Sequence, residues 1–155
     1  MSNLDVDDEA ERGRAPRDVA VALWPTLEAR AGDSDELCQI PDETFSDLRD
    51  AGLTRLTQPR RYGGAELPLG AAVDALAALA GGCGSSAWVC GVYADHACML
   101  GMFSEQVTDE IWGETPEAVA SAGFFLVGMV ERSGDGWHLS GKWSWVSGCD
   151  HADWF

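Results

Sequence analysis

Positive charge is scarce in this sequence: 26 aspartates and glutamates face only 10 lysines and arginines, giving a net charge of −16 and a pI near 4.2. Phosphate backbones and anionic bilayers need a basic face, so nucleic acid and membrane are excluded as expected partners. Long hydrophobic runs are missing too. Nothing approaches the ~18 apolar residues of a membrane span, and the opening Met1-Ser2-Asn3-Leu4-Asp5 has neither the basic nor the apolar region of a secretion leader. These absences predict a cytoplasmic protein. The cysteines are an odd five, Cys38, Cys83, Cys90, Cys98 and Cys149, without a CxxC pair or metal-ligand spacing. Free thiols and no metal site are expected, with Cys83, Cys90 and Cys98 serving as small core hydrophobes. Phosphate-cradling patterns of the GxGxxG or GxxxxGK kind are also lacking, and the pair Gly63-Gly64 does not replace them.

The chain is 155 residues long, enough for one domain that buries about 68–70% of its unfolded surface. Residues 1–15 are acidic and nearly free of large apolar side chains, which predicts a disordered tail. Val19, Leu23 and Leu27 recur at helical spacing as far as Ala31, and Gly32-Asp33-Ser34 then breaks the pattern. A second helix opens with Pro41 at its first position, carries Asp42 and Glu43 in the turn where the helix dipole favours them, and closes at Gly52. Gln58 to Leu67 reads as a loop. Leu69 to Ala80 and Ser85 to Met102 are apolar around most of their circumference, which predicts two buried helices. A third, amphipathic helix from Ser104 to Trp112, capped by Ser104, completes a small bundle. Asp95 and His96 fall inside the second buried helix, where each unsatisfied polar group costs about 1–3 kcal/mol. Either they bond neighbouring helices or one faces a cavity.

Beyond Thr115-Pro116 the pattern turns extended, with strands expected over Val119 to Gly123 and Leu126 to Arg132. The last twenty residues hold four of the seven tryptophans and two of the three histidines. Asp135-Gly136 is a hairpin signal and Ser140-Gly141 a second turn pair. Alternation from Lys142 to Ser147 places Trp143, Trp145 and Ser147 on one strand face, a flat aromatic surface ending in a hydroxyl on which a planar ring system could stack. The expected class is therefore α+β: an all-α domain over 16–116, then the first strands of an incomplete β domain over 117–155. A sheet that stops at Phe155 leaves open edges, so the chain is read as the N-terminal part of a longer protein.

Arg61-Tyr62-Gly63-Gly64, the segment Ser85 to His96 (SSAWVCGVYADH) and above all Leu139 to Trp154 (LSGKWSWVSGCDHADW) resemble the acyl-CoA dehydrogenase superfamily. Within it they are most similar to the flavin-dependent monooxygenase branch, the oxygenase components of two-component aromatic hydroxylases. The resemblance implies a helical domain, a β-barrel domain and a C-terminal bundle, of which this chain would hold the first and the opening of the second. It implies reduced FAD or FMN delivered by a separate flavin reductase, oxygen transfer to a phenolic substrate, and a homotetramer. By the same resemblance Trp145 flanks the flavin ring, Ser147 bonds it, Ser121 is a second active-site serine near the flavin, and His96 reaches the phenol or the flavin-oxygen adduct. Two other readings stay open, an acyl-CoA dehydrogenase oxidising an acyl thioester with FAD and a non-catalytic truncated fragment. The W-x-S-G ending at Trp145 and the histidine at position 96 favour the hydroxylase.

Overall fold

The computed structural model describes residues 16–125 and 127–155; the expected acidic tail and Leu126 lie outside them. Residues 16–22 are helical, and the chain restarts as helix α1, Trp24–Leu37. Pro25 causes the break. It has no N–H to give and sits in the first turn, where none is needed. Contrary to expectation, Gly32-Asp33-Ser34 does not end the helix, which runs on to Leu37 and stops at Cys38 in the left-handed region, φ 56°. Arg30 holds this last part in place by bridging to Asp47 at 2.7 Å and Glu43 at 3.8 Å. Helix α2 spans Asp42–Asp50; Pro41 stands one position outside it, and Gly52 at φ 75° turns the chain away.

A tight loop follows. Arg60–Tyr62 form a single 3₁₀ turn ending at Gly63, φ 85°, and Ala65, Glu66 and Leu67 donate back to the carbonyls of Arg55, Gln58 and Leu56. Helix α3, Leu69–Ala80, has the predicted bounds. Helix α4 spans Gly84–Leu100, and α5 spans Glu105–Trp112. Ser104 occupies the N-cap of α5, yet its hydroxyl makes no capping bond; its carbonyl takes the Val107 and Thr108 N–H groups instead.

The main core lies where α1, α2, α3 and α4 meet, around Leu27, Leu48, Leu53, Leu56, Leu79 and Cys90. Its close packing depends on small residues. The Trp24 indole lies on Gly81 and Gly82 and donates to the Ala78 carbonyl at 2.8 Å. A second cluster, Tyr62, Ala97, Ile111, Trp112 and Ala118, joins the far half of α4 to α5 and the following linker. Gln58, buried, donates to the Pro116 carbonyl at 2.8 Å and ties the loop to that linker.

Helices α3 and α4 are not apolar on all sides because they are buried on all sides. Leu69 and Val73 on α3 and Trp88 on α4 are exposed, so each helix keeps one open apolar face. Asp95 is exposed as well, which leaves His96 as the one buried member of the expected pair. Cys98 is exposed rather than part of the core, while Cys83 and Cys90 are buried.

Past Pro116 the structure holds less sheet than expected. Among the described residues one antiparallel hairpin forms, β1 (Met129–Ser133) with β2 (Gly136–Ser140). Ser133 pairs with Gly136, so the turn is centred on Gly134-Asp135 with Gly134 at φ 60°, not on Asp135-Gly136. Val119 to Gly123 is extended but contributes a single parallel bridge, Ala120 to Trp154. Lys142 to Ser147 is not a strand, because Trp145 adopts φ 62° and breaks the alternation. Ser140-Gly141 leads on without a turn. The class is α+β with helix dominant, and no helix of the described residues is long and apolar enough to cross a membrane.

The loop and α1 give opposite expectations for glycine replacement. A Cβ on Gly64 would stand 2.1 Å from the Gln58 carbonyl oxygen, so Gly64→Ala should lower unfolding free energy by about 1–3 kcal/mol. At Gly32 nothing lies within 4 Å, and Gly32→Ala should raise it by up to about 1 kcal/mol through helix propensity. Urea midpoints at unchanged slope measure both.

Candidate functional site

On α4, residues four apart share a face. Trp88, Val92 and His96 form such a row, and with Val73, Leu76, Ala77 and Ala80 of α3 they line an open, largely apolar groove of about 630 Å³ that ends against Phe124. His96 is only 5% exposed. Its Nδ1 stands 2.6 Å from the Val92 carbonyl. A carbonyl can only accept, so Nδ1 carries the proton and, in the neutral ring, Nε2 is the base. Nε2 is buried and has no partner among the described residues. The ring lies 5.6 Å from that of Phe124.

Ser121 is buried beside it. The two line a smaller cavity of about 280 Å³ with Met99, Phe103 and Ile111. The Ser121 hydroxyl donates to the Ser147 carbonyl at 2.6 Å, and its N–H to the Trp154 carbonyl at 3.0 Å. Ser121 therefore acts on the backbone of the tryptophan stretch. Trp145 and Ser147 line a third, broader groove of about 890 Å³ with Ile40, Trp88 and His151. The Trp145 indole is 86% exposed. Trp143 does not share its face: its ring covers Gly123, Gly128 and Gly141, three positions where a Cβ would collide with it. Trp88, 68% exposed, lines both large grooves and joins them.

The sequence-predicted residues thus fall into two groups, His96 with Ser121 and Trp145 with Ser147, linked by the Ser121 to Ser147 bond. Trp88, Phe124 and Tyr93 were missed. Trp88 could have been found from its spacing of eight from His96, which is two steps of the same helical row. Tyr93 has no such signal, since its role comes from a partner 55 residues away: its hydroxyl donates to the Gly148 carbonyl at 2.8 Å. Gly148 has φ 78°, and a Cβ there would stand 3.0 Å from the Tyr93 ring. Farther along, His151 stacks on Phe45 at 4.4 Å between centroids and meets Asp42 at 3.0 Å. Burial holds the Tyr93 phenol far above its ordinary value, with nearby Cys90 and Asp150 adding to the effect. Burial alone pushes the Cys90 thiol up to about 12. Among the described residues no group of three or more His, Cys, Asp or Glu is placed to hold a metal ion.

The family model for acyl-CoA dehydrogenase, N-terminal domain, matches residues 16–111. Over 131 residues the chain is 38% identical to the oxygenase component of p-hydroxyphenylacetate 3-hydroxylase from Acinetobacter baumannii, covering 84% of this chain and 31% of that protein. It is 35% identical over 133 residues to the oxygenase subunit HsaA of a flavin-dependent monooxygenase from Rhodococcus jostii, covering 86% and 35%. The crystal structure of the HsaA monooxygenase from M. tuberculosis matches with a TM-score of 0.84 at 32% identity, covering 90% of this chain and 37% of that one. XiaF from Streptomyces sp., solved in complex with FADH2 and glycerol, shares the fold with a TM-score of 0.90 at 22% identity, covering 95% and 37%. The chain spans about a third of the length of the curated relatives it matches.

The buried thiol and phenol make stability fall in alkali. An unfolded Cys90 loses its proton near 9.0, whereas the folded thiol keeps it to about 12. In that window the folded state binds more protons than the unfolded one, so stability is full below pH 9 and declines as pH rises. Tyr93 adds to the decline above its unfolded value of 10.0. Urea unfolding from pH 8 upward should show this fall, and Cys90→Ala should flatten its first part. A thiol reagent at pH 8 should modify exposed Cys38, Cys98 and Cys149 quickly, and Cys83 and Cys90 only on unfolding.

Proposed function

Because the chain belongs to the acyl-CoA dehydrogenase family by its N-terminal domain, we propose that it supplies the helical wall and part of the flavin wall of an oxygenase component that hydroxylates a phenol. The overall change is phenol, dioxygen and reduced flavin to dihydroxybenzene-type product, water and oxidised flavin. One observation carries the reading: a buried histidine, on the lining of an apolar groove, whose Nδ1 is committed to Val92 and whose Nε2 is buried without a partner. A buried acceptor left alone costs about 1–3 kcal/mol. A ligand O–H would remove that cost, and a phenol that gives its proton to Nε2 becomes more electron-rich at the ring carbons to be attacked.

The residues present fit a flavin. Trp145 and Ser147 set an exposed indole and a hydroxyl on the wall of a groove large enough for a planar three-ring system, and they would hold it from one face. When bound, reduced FAD or FMN supplies the electrons and activates dioxygen. The chain's own residues do the rest. Ser121 anchors the Ser147 carbonyl and Tyr93 anchors the Gly148 carbonyl, and together they fix the backbone that carries Ser147. Phe124 lies beside the His96 ring, 5.6 Å between centroids, at the end of the groove. A flavin reductase as partner, a cytoplasmic location and assembly into a homotetramer complete the proposal. Its support is that the relatives are named as oxygenase components and subunits.

The imidazole nitrogens give a test that does not depend on turnover. Nitrogen chemical shifts of His96 should report the Nδ1–H tautomer in the free protein, and an added phenol should shift Nε2 while leaving Nδ1 unchanged. With a reductase, NADH and flavin, His96→Asn should lower hydroxylated product by about 10²–10⁴-fold, whereas Ser147→Ala should keep phenol binding and release more hydrogen peroxide. An Nε2 indifferent to every phenol would overturn the reading.

A further inference from the structure

Three basic side chains among the described residues are half-buried, Arg30, Arg49 and Arg55. Arg30 bridges to Asp47 and Glu43, and Arg49 to Asp50. Arg55 has no carboxylate partner among the described residues, and its Nε is buried without a hydrogen-bond acceptor. An N–H of a cation taken out of water with nothing to receive it costs more than a neutral donor would. Arg55 lies on a pocket of about 270 Å³ whose lining is mostly apolar, with Val19, Ala51, Leu53, Leu56 and Ala65, and it is the one charged residue there. This pocket shares no residue with the three cavities of the candidate site. Pro16 lines it too, so the chain ahead of Pro16 starts from its edge. Residues 1–15, outside the described residues, carry five carboxylates, Asp5, Asp7, Asp8, Glu9 and Glu11, against Arg12 and Arg14.

We propose that the acidic segment Asp7 to Glu11 folds back on this pocket and sets a carboxylate on the Arg55 guanidinium. The contact fastens the chain ahead of the first helix to the turn after α2. Glu11 precedes Pro16 by five residues and Asp7 by nine, spans of up to about 18 and 32 Å. Either length brings a carboxylate back to a side chain that shares a pocket with Pro16. The occupant is the chain's own segment because the net charge of −16 repels an acidic partner arriving from solution, whereas a carboxylate tethered this closely is present at an effective concentration in the millimolar range. Met1, Leu4 and Val6 are the only sizeable apolar side chains ahead of Pro16. The ion pair therefore carries the contact, and salt loosens it.

Trypsin cleavage after Arg14 reads whether the segment is held, since a held segment must open before it is cut. Each rate in the full chain is divided by that of a free peptide of residues 1–20 with the same substitutions. Arg55→Gln should raise the normalised rate by about tenfold, the worth of a charge-assisted hydrogen bond. A neutral-tail variant with Asp7→Asn, Asp8→Asn, Glu9→Gln and Glu11→Gln should show the same rise with the pocket intact. Adding Arg55→Gln to it should raise the rate no further, the mark of one shared interaction. Going from about 0.05 to about 0.5 M NaCl should close the gap between the parent and Arg55→Gln. Acetate at matched ionic strength separates the tethered carboxylate from a free one: it should shift the Arg55 Nε–H resonance in the neutral-tail variant and hardly at all in the parent. Equal normalised rates in the parent and either variant, additive effects of the two sets of changes, or an equal acetate response in the parent and the neutral-tail variant would overturn the proposal. If Arg55→Gln fails to fold, the neutral-tail variant decides alone.

Discussion

The hydrogen bond from the Tyr93 hydroxyl to the Gly148 carbonyl is the constraint on which the site depends. It is the place where the helical body grips the tryptophan stretch from inside. Tyr93 is almost wholly buried, and its ring lies so close to Gly148 that only glycine at φ 78° permits the approach. The Ser121 to Ser147 bond and the His151 stack on Phe45 act on the residues to either side. Three separate elements, α4, the extended 119–123 segment and α2, thus hold one short turn. None of them uses regular strand pairing, which is why the groove wall keeps its shape although it is not part of a sheet.

This arrangement explains what could be read from the sequence. Helix α3 was legible to the residue, because Pro68 before it and a glycine pair after it punctuate a long run of alanine, leucine and valine. The α1 end was not legible, since Gly32-Asp33-Ser34 is a breaker by propensity and is overruled by the Arg30 bridges to α2, a tertiary fact. The tryptophan stretch misled for a related reason. Its alternation from Lys142 to Ser147 is real in the sequence, but Trp143 is committed to covering three glycines that lie 2, 15 and 20 residues away, and Trp145 must then turn left-handed. Local pattern carries no record of such a close approach. The site residues did not depend on that strand, because they were assigned by resemblance of the surrounding motifs, and the structure places His96 beside Ser121 and Trp145 beside Ser147 without the alternation.

Buried polar atoms without partners are a useful contrast. Among the described residues Thr44, Thr54, Arg55, Gln58 and Ser86 each have one, as does His96. None of the first five lines the three cavities of the candidate site. His96 lines two of them. What sets the histidine apart is its position, since it is the one of these residues that lines a groove of the candidate site, where a ligand could meet it. The acidic balance of the chain, −16 overall, has no counterpart there, since the groove is apolar and its single carboxylate sits at one end.

All ten residues of the β1–β2 hairpin are exposed. A two-stranded ribbon with no buried face is marginal in water, so its opening does not involve the core and can occur without disturbing α3 or α4. In hydrogen-exchange terms the molecule divides into two cooperative units: a helical body whose slowest amides exchange only through global unfolding, and a hairpin arm whose amides exchange through local openings of much lower free energy. The arm leaves the body at Gly128 and returns at Gly141, both under the Trp143 ring, so that indole is the hinge pin between a rigid part and a part that breathes.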